Sequence, residues 1–291
     1  MPHQIGFVDN SGTKLAHQAM LETVMNFAAA NGWTVMRFDD TGTNHELILK
    51  APGMAGSDEI FVGLQTYQNA NADYYNLLAA AFTGYVAGNA FAAQPGFISS
   101  GVPAHNQRID YWLTLNAQRL ILAMKVGTPV YQSCYLGKML PYGRPSQYPY
   151  PVICGGMLNG AAAVRFSDTA HSCWVKGGYG RTTGTSTQWP NMRLRTNAGA
   201  WIYPQCWPWN NSYLAGSTYQ ARDTGSVYPL IPVVLSDATS GVLGELDGVC
   251  FVPGFNNAVE NTVTYGGQTW IVMQDVYRTG FIDYYAVRMD D

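Results

Sequence analysis

The sequence predicts an α+β protein dominated by antiparallel β-sheet, with one N-terminal helix packed on the sheet body and long loops between strands. Three observations lead there. Only one stretch, ending near Ala30, repeats its apolar residues with helical period. Many later stretches alternate with period two, and Gly, Pro, Asn and Ser punctuate them at short intervals.

Composition narrows the function classes. Hydrophobic residues make up 47% of the 291 and charged residues only 12%, about half the usual globular share of charge. Solubility therefore rests on Asn, Gln, Thr, Ser and Gly, which suits a β-rich chain covered by partners. Net charge is −3 with no basic run, so phosphate neutralisation, and with it nucleic-acid binding, is disfavoured. The five cysteines, Cys134, Cys154, Cys173, Cys206 and Cys250, are odd in number and widely spaced and read as reduced. Met1–Gly6 has neither a basic nor an apolar leader region, and no apolar run approaches the roughly 20 residues of a membrane span. The expectation is a chain made in the cytosol, with no membrane partner.

In chain order, Ser11 or Thr13 is the expected cap of a helix that Asn31-Gly32 ends. Met20, Leu21, Val24, Phe27 and Ala28 share its apolar face, with His17 at the edge of that face as a core or boundary histidine. Trp33–Phe38, Glu46–Ala51 and Glu59–Gln65 read as strands. Asp73–Tyr85 mixes helix-forming alanines with β-forming aromatics and is assigned to strand, because Gly84 and Gly88 close it. Residues 86–106 read as one long loop. Ile109–Leu115 and Arg119–Val126 form a hairpin across Asn116-Ala-Gln118. Later short strands are expected at Ala161–Phe166 and Cys173–Val175, and Asn191–Asn197 alternates polar and apolar residues; Trp201-Ile-Tyr203 precedes a dense aromatic cluster. Val227–Leu235 reads as an edge strand, because prolines interrupt it. Val249–Val252, Val263–Tyr265, Thr269–Val276 and Phe281–Met289 complete the set, with a hairpin turn at Gly266-Gly267.

Residues 128–154 stand out. Pro141, Tyr142, Pro145, Tyr148, Pro149, Tyr150 and Pro151 alternate ring types, and proline fixes φ and removes a donor. The segment reads as an extended connector that divides the chain into 1–140 (helix and sheet), 141–155 (connector) and 156–291 (β-rich), or joins them into one continuous domain. It is either a stiff crossover on the protein body or an aromatic contact surface for another subunit. Tyr142, Tyr148 and Tyr150 are the candidate interface residues here, with some of them expected to be buried. Trp207 and Trp209 are candidates in the later cluster Cys206-Trp-Pro-Trp209. With Trp201, Tyr203 and Tyr213, these tryptophans suit either sugar stacking or core and subunit packing.

Chemical motifs are sparse. Gly-x-Ser-x-Gly, Walker and His-Glu-x-x-His patterns do not occur. Gly178–Gly184 misses the dinucleotide fingerprint by a displaced glycine and reads as a surface turn. His171-Ser-Cys173 offers two metal ligands without the second close pair that structural zinc uses. Glu245 and Asp247 would share a strand face, as a glycosidase acid pair does, but nothing else supports catalysis there. Asn210-Asn-Ser212 is a glycosylation sequon that an unexported chain would not use. No catalytic, cofactor or metal site is expected.

Two stretches carry a resemblance. Tyr135-Leu-Gly-Lys-Met-Leu-Pro-Tyr-Gly-Arg-Pro-Ser-Gln-Tyr-Pro-Tyr-Pro-Val152 resembles a segment of structural proteins from tailed bacteriophages and prophages. Gly244–Val249, Asn261–Gly267 and Asp275–Arg288 resemble their C-termini, and Asp58–Tyr67 fits the same family. The resemblance implies a non-enzymatic virion structural protein, tail- or baseplate-associated and assembled in the host cytoplasm. It would pack with other virion proteins as a homo-oligomer in a symmetric ring. A glycan- or receptor-binding module using 201–213, and a neck, collar or head-decoration protein, are the alternatives.

Overall fold

A computed structural model describes residues 2–168, 171–176, 191–209, 230–254 and 257–289. The fold is mostly antiparallel β-sheet with one N-terminal helix packed against it.

Strand β1 (His3–Val8) leads into α1 (Ala16–Ala30). The helix starts later than the serine and threonine suggested. Asp9 Oδ1 accepts from the Ser11 backbone N–H (3.0 Å) and hydroxyl (2.6 Å), which folds that segment into a turn. The first turn is instead closed by Gln18, whose Oε1 accepts from the Leu15 N–H at 3.0 Å. At the far end the Asn31 side chain donates to the Phe27 carbonyl (2.8 Å), and Gly32 takes φ +85°. Ala16, His17, Met20, Leu21, Val24, Phe27 and Ala28 form the buried stripe.

Next come β2 (Thr34–Asp39), β3 (Glu46–Ala51), β4 (Ile60–Asn69), β5 (Tyr74–Phe82) and β6 (Ile98–Ala104), a five-stranded antiparallel meander. The alanines of β5 suit a strand because they divide between two cores. Ala79 and Ala81 join the main core under α1, and Ala80 faces a separate cluster with Ile48, Phe61, Leu78, Phe82 and Phe91. The expected loop 86–106 is only partly loop, since β6 occupies its last third. Ser-Ser-Gly-Val-Pro composition hid that strand, and Pro103 is tolerated because β6 ends the sheet order.

A seven-stranded sheet follows the order β1, β7 (Ile109–Leu115), β8 (Arg119–Gly127), β9 (Val130–Lys138), β11, β12, β13, where β10 (Leu140–Pro141) lies outside it. Its later members are β11 (Val152–Gly155), β12 (Met192–Arg195) and β13 (Trp201–Ile202). The predicted hairpin is present, but β9 had no alternating signal because nearly every residue in it is buried. The connector is not the extended segment expected: the Gln147 and Tyr148 N–H groups both donate to the Arg144 carbonyl (2.8 and 2.9 Å), a turn that starts at Pro145, where the fixed φ of proline suits a turn as well as an extended chain. Val152–Gly155 carry their amide donors and pair with β9 and β12. This sheet takes strands from both sides of the connector. Neither strand expected at 161–166 nor at 173–175 forms. Arg165 and Asp168 close a turn, and the Cys173 N–H donates to Asp275 Oδ1 (2.6 Å) instead of to a ladder. Trp174–Lys176 is a buried 3₁₀ turn.

The third sheet orders β14 (Gln205–Trp207), β15 (Ile231–Asp237), β16 (Gly241–Phe251), β19 (Tyr284–Met289), β18 (Gln268–Gln274) and β17 (Thr262–Tyr265), with β10 added alongside β16. The expected edge strand is flanked on both sides: β14 covers Val234–Ser236 of β15, and Pro232 lies beyond that pairing, beside a register shift. Gly266 and Gly267 make the predicted turn with φ +60° and +74°. All five cysteines are free and buried. Residues 177–190 and 210–229, which include the Gly178–Gly184 turn, the sequon and Tyr213, lie outside the described residues.

Two outcomes check this packing. Phe91 is 1% exposed and meets Phe82 and Phe97 with ring centroids 5.4 and 6.0 Å apart. Phe91→Ala is expected to cost about 3–5 kcal/mol in urea unfolding. His17 is fully buried in α1, and burial depresses its pKa from 6.5 to about 4. Between those values the unfolded chain binds a proton that the folded chain refuses. Stability therefore falls as pH drops from 6.5 towards 4, by roughly 3 kcal/mol for this group. Thermal unfolding across that range should show a shallower acid slope in His17→Gln.

Candidate assembly site

Residues from three of the stretches that carry the resemblance, Tyr135–Lys138, Asp247–Gly248 and Arg288, meet in space around the β7–β8 turn. Asn116 Oδ1 accepts from the backbone N–H groups of Gln118 and Arg119, both at 2.9 Å, which fixes the turn. Its backbone then ties the sheets together. The Asn116 carbonyl accepts from Trp33 Nε1 (2.8 Å), that of Ala117 from the Gly53 N–H (2.7 Å), and that of Gln118 from the Lys138 N–H (2.7 Å). From the third sheet comes Asp247, 3% exposed. Its carboxylate accepts from Asn116 Nδ2 (2.6 Å), Gln118 Nε2 (3.0 Å) and Arg288 (3.1 Å), and lies 3.8 Å from Nε of the fully buried Arg119. Tyr135 donates its hydroxyl to the Lys138 carbonyl (2.9 Å) and accepts from the Asp247 N–H (3.3 Å). Burial, with the Asp247 charge, raises the pKa of that hydroxyl.

Two glycines make this closeness possible. Gly137 has φ +119°, and a Cβ there would stand 2.2 Å from the Gln118 carbonyl oxygen. Gly248 has φ +71°, and a Cβ there would stand 2.3 Å from the Arg119 guanidinium. The glycines of Tyr-Leu-Gly-Lys and Glu-Leu-Asp-Gly thus seat one buried arginine.

On the outside of the junction, β10 lies along β16 with Leu140 opposite Glu245. Tyr142 donates to Glu245 Oε1 at 2.6 Å while its ring stays exposed. Leu140 and Val242 are exposed beside it, which makes a small apolar patch on a stiff base. The other candidates separate. Tyr148 is buried and donates to the Arg195 carbonyl (2.6 Å); Tyr150 is half-buried against the main core. Trp209 sits in the core, edge-on to Phe251 at 5.2 Å, with Nε1 donating to Ile282 O. Trp207 is half-buried on β14. Trp201 belongs to the seven-stranded sheet, so the 201–209 rings are divided between two sheets and do not form one platform.

No protein-family model matches this chain, and neither does any curated protein sequence.

The remaining chemical candidates have structural surroundings. Glu245 and Asp247 face different partners, Tyr142 outside and the junction inside. His171 is buried, which lowers its pKa to about 4, and its Nε2 lies 2.8 Å from Gln132 Nε2. Cys173 is buried near Ser133 (3.5 Å), and burial pushes its thiol up to about 12. Among the described residues no three His, Cys, Asp or Glu side chains are grouped to hold a metal. An open cavity of about 250 Å³ lies between His105, Arg108, Asp110, Lys125 and Phe166. Its charges are matched locally, Arg108 by Asp110 (2.7 Å) and Lys125 by Glu260 (2.9 Å).

The junction went unread in the sequence, although one signal was present. Where only 12% of residues are charged, an arginine opening an apolar strand and an aspartate inside another are conspicuous. Removing Asp247 takes the carboxylate away from the fully buried Arg119 and from Arg288 and leaves the Asn116 and Gln118 amides without their acceptor, so Asp247→Ala is expected to cost roughly 3–5 kcal/mol in chemical denaturation. A loss below about 1 kcal/mol would show that the junction is not under tension from its charges.

Proposed function

We propose that this chain is a structural subunit of a tailed-phage virion, tail- or baseplate-associated, that acts by protein–protein assembly and catalyses no reaction. The observation that carries the reading is the exposed patch of Leu140, Tyr142 and Val242: Leu140 and Tyr142 belong to the Tyr135–Val152 stretch that resembles phage structural proteins, and Tyr142 is held by Glu245 of the Gly244–Val249 stretch. Exposed tyrosine and aliphatic side chains on a rigid base are what a subunit contact needs, because little side-chain freedom remains to be lost on binding. The partners are other virion proteins and further copies of this chain in a symmetric ring. A glycan-binding role draws on fewer groups: Tyr203 is exposed, but the Arg193 guanidinium already lies 3.1 Å from its ring centroid.

Particles produced with Leu140→Asp/Tyr142→Asp in place of the wild-type chain test this. The variant should fold with an unchanged circular dichroism spectrum and be incorporated at least about tenfold less, by quantitative mass spectrometry of purified particles. A tenfold change corresponds to about 1.4 kcal/mol of contact energy. Absence of the wild-type chain from purified particles overturns the proposal.

A further inference from the structure

The seven-stranded sheet ends at β1, and among the described residues no strand pairs with its outer side. Two large apolar side chains of β1 are more than half exposed, Ile5 at 58% and Phe7 at 53%, with the Arg108 guanidinium over the Phe7 ring at 4.1 Å. Natural edge strands are blunted by lysine, proline, a bulge or a cover. His3–Val8 contains neither lysine nor proline, and it pairs with β7 in unbroken register.

That register decides which backbone groups face outward. The Leu115 N–H donates to the Pro2 carbonyl (3.3 Å), so Pro2, Gln4, Gly6 and Val8 direct their backbone groups to β7. By the alternation of antiparallel pairing, the N–H and C=O groups of His3, Ile5 and Phe7 point away from the sheet. The outward donors and acceptors thus belong to the residues with the exposed side chains.

We propose that β1 pairs antiparallel with β1 of a second copy of this chain, about a two-fold axis through Gly6. The inference stands on the geometry of this edge and is independent of the virion reading. In this register Ile5 lies opposite Phe7 of the second copy in a hydrogen-bonded pair, and the symmetric pair repeats it. Four apolar side chains then share one face across the axis, where such pairs stabilise a sheet. His3 lies opposite Asp9, and Gln4 lies opposite Val8. Gly6 meets Gly6 at the axis, where Tyr111 already fills the space beside it: a Cβ would stand 2.8 Å from the Tyr111 hydroxyl. Moving the axis to Ile5 would set Phe7 against His3 and break up the cluster of four apolar side chains.

Gel filtration with light scattering on the full chain tests the pairing. The wild type should run at twice the chain mass. Ile5→Lys/Phe7→Lys should run at the monomer mass with an unchanged circular dichroism spectrum, since both positions are exposed. Gln4→Cys/Val8→Cys tests the register, because that pair is non-hydrogen-bonded with Cα atoms about 4.5 Å apart, within disulfide reach. Mild oxidation should give a covalent dimer that reductant reverses, with the five native cysteines buried. A monomeric wild type overturns the proposal, whether its β1 amides exchange freely or are protected by another segment. So does a dimer that survives the two lysines, or one that the new cysteines fail to cross-link.

Discussion

A turn of four residues, Asn116 to Arg119, is the point to which the three sheets are fastened. Its backbone carbonyls are spent on Trp33 and Gly53 from the meander and on Lys138 at the end of β9. Its side chains go to Asp247 in the third sheet. Burying a carboxylate and a guanidinium together carries a large desolvation penalty. The arrangement holds because the carboxylate accepts from Asn116, Gln118 and Arg288, and Arg119 also donates to Thr114 (3.1 Å). A buried charge that needs several partners at once permits few alternative packings. We attribute the relative setting of the sheets to this requirement, while the area they bury comes from the aliphatic core around it.

A second polar centre works in the same way deeper in the fold. The Ser133 hydroxyl accepts from Trp174 Nε1 (3.0 Å) and Tyr285 (2.7 Å), and so joins β9, the buried 3₁₀ turn and β19. Nearby, Asp275 is fully buried and accepts from Ser172 and from the Cys173 N–H, with Lys176 3.0 Å away and itself also paired to Asp283. A chain with few charges thus places several of them inside, where each is matched.

Several elements could be read directly from the residues. The helix stripe from Met20 to Ala28, the β7–β8 hairpin, the Gly266-Gly267 turn and the strand character of Tyr74–Phe82 follow from local rules. Each of these depends on periodicity or on a backbone angle that only certain residues adopt. β6 and β9 were invisible for opposite reasons. The first contains serine, glycine and proline at a sheet end, and the second is buried on both faces and shows no alternation. The Pro/Tyr segment did not reveal its turn at Arg144–Tyr148, because proline suits a turn as well as an extended chain, and its tyrosines met different fates: Tyr148 is buried, Tyr150 half-buried and Tyr142 exposed.

The sequence by itself determined the fold class, the helix, most strands and the hairpin turns, because these are set by neighbours within a few positions. Only the tertiary structure decided that Gly137, Gly248, Asn116, Arg119 and Asp247 form one junction, since Asn116 and Asp247, for example, are 131 positions apart. It also decided which of the tryptophans after residue 200 entered the core, and that Ile5 and Phe7 stand on an open edge. Partner identity across a sheet depends on register and chain path. Local pattern constrains both only weakly, since a strand's alternation specifies a face and leaves open what that face will meet.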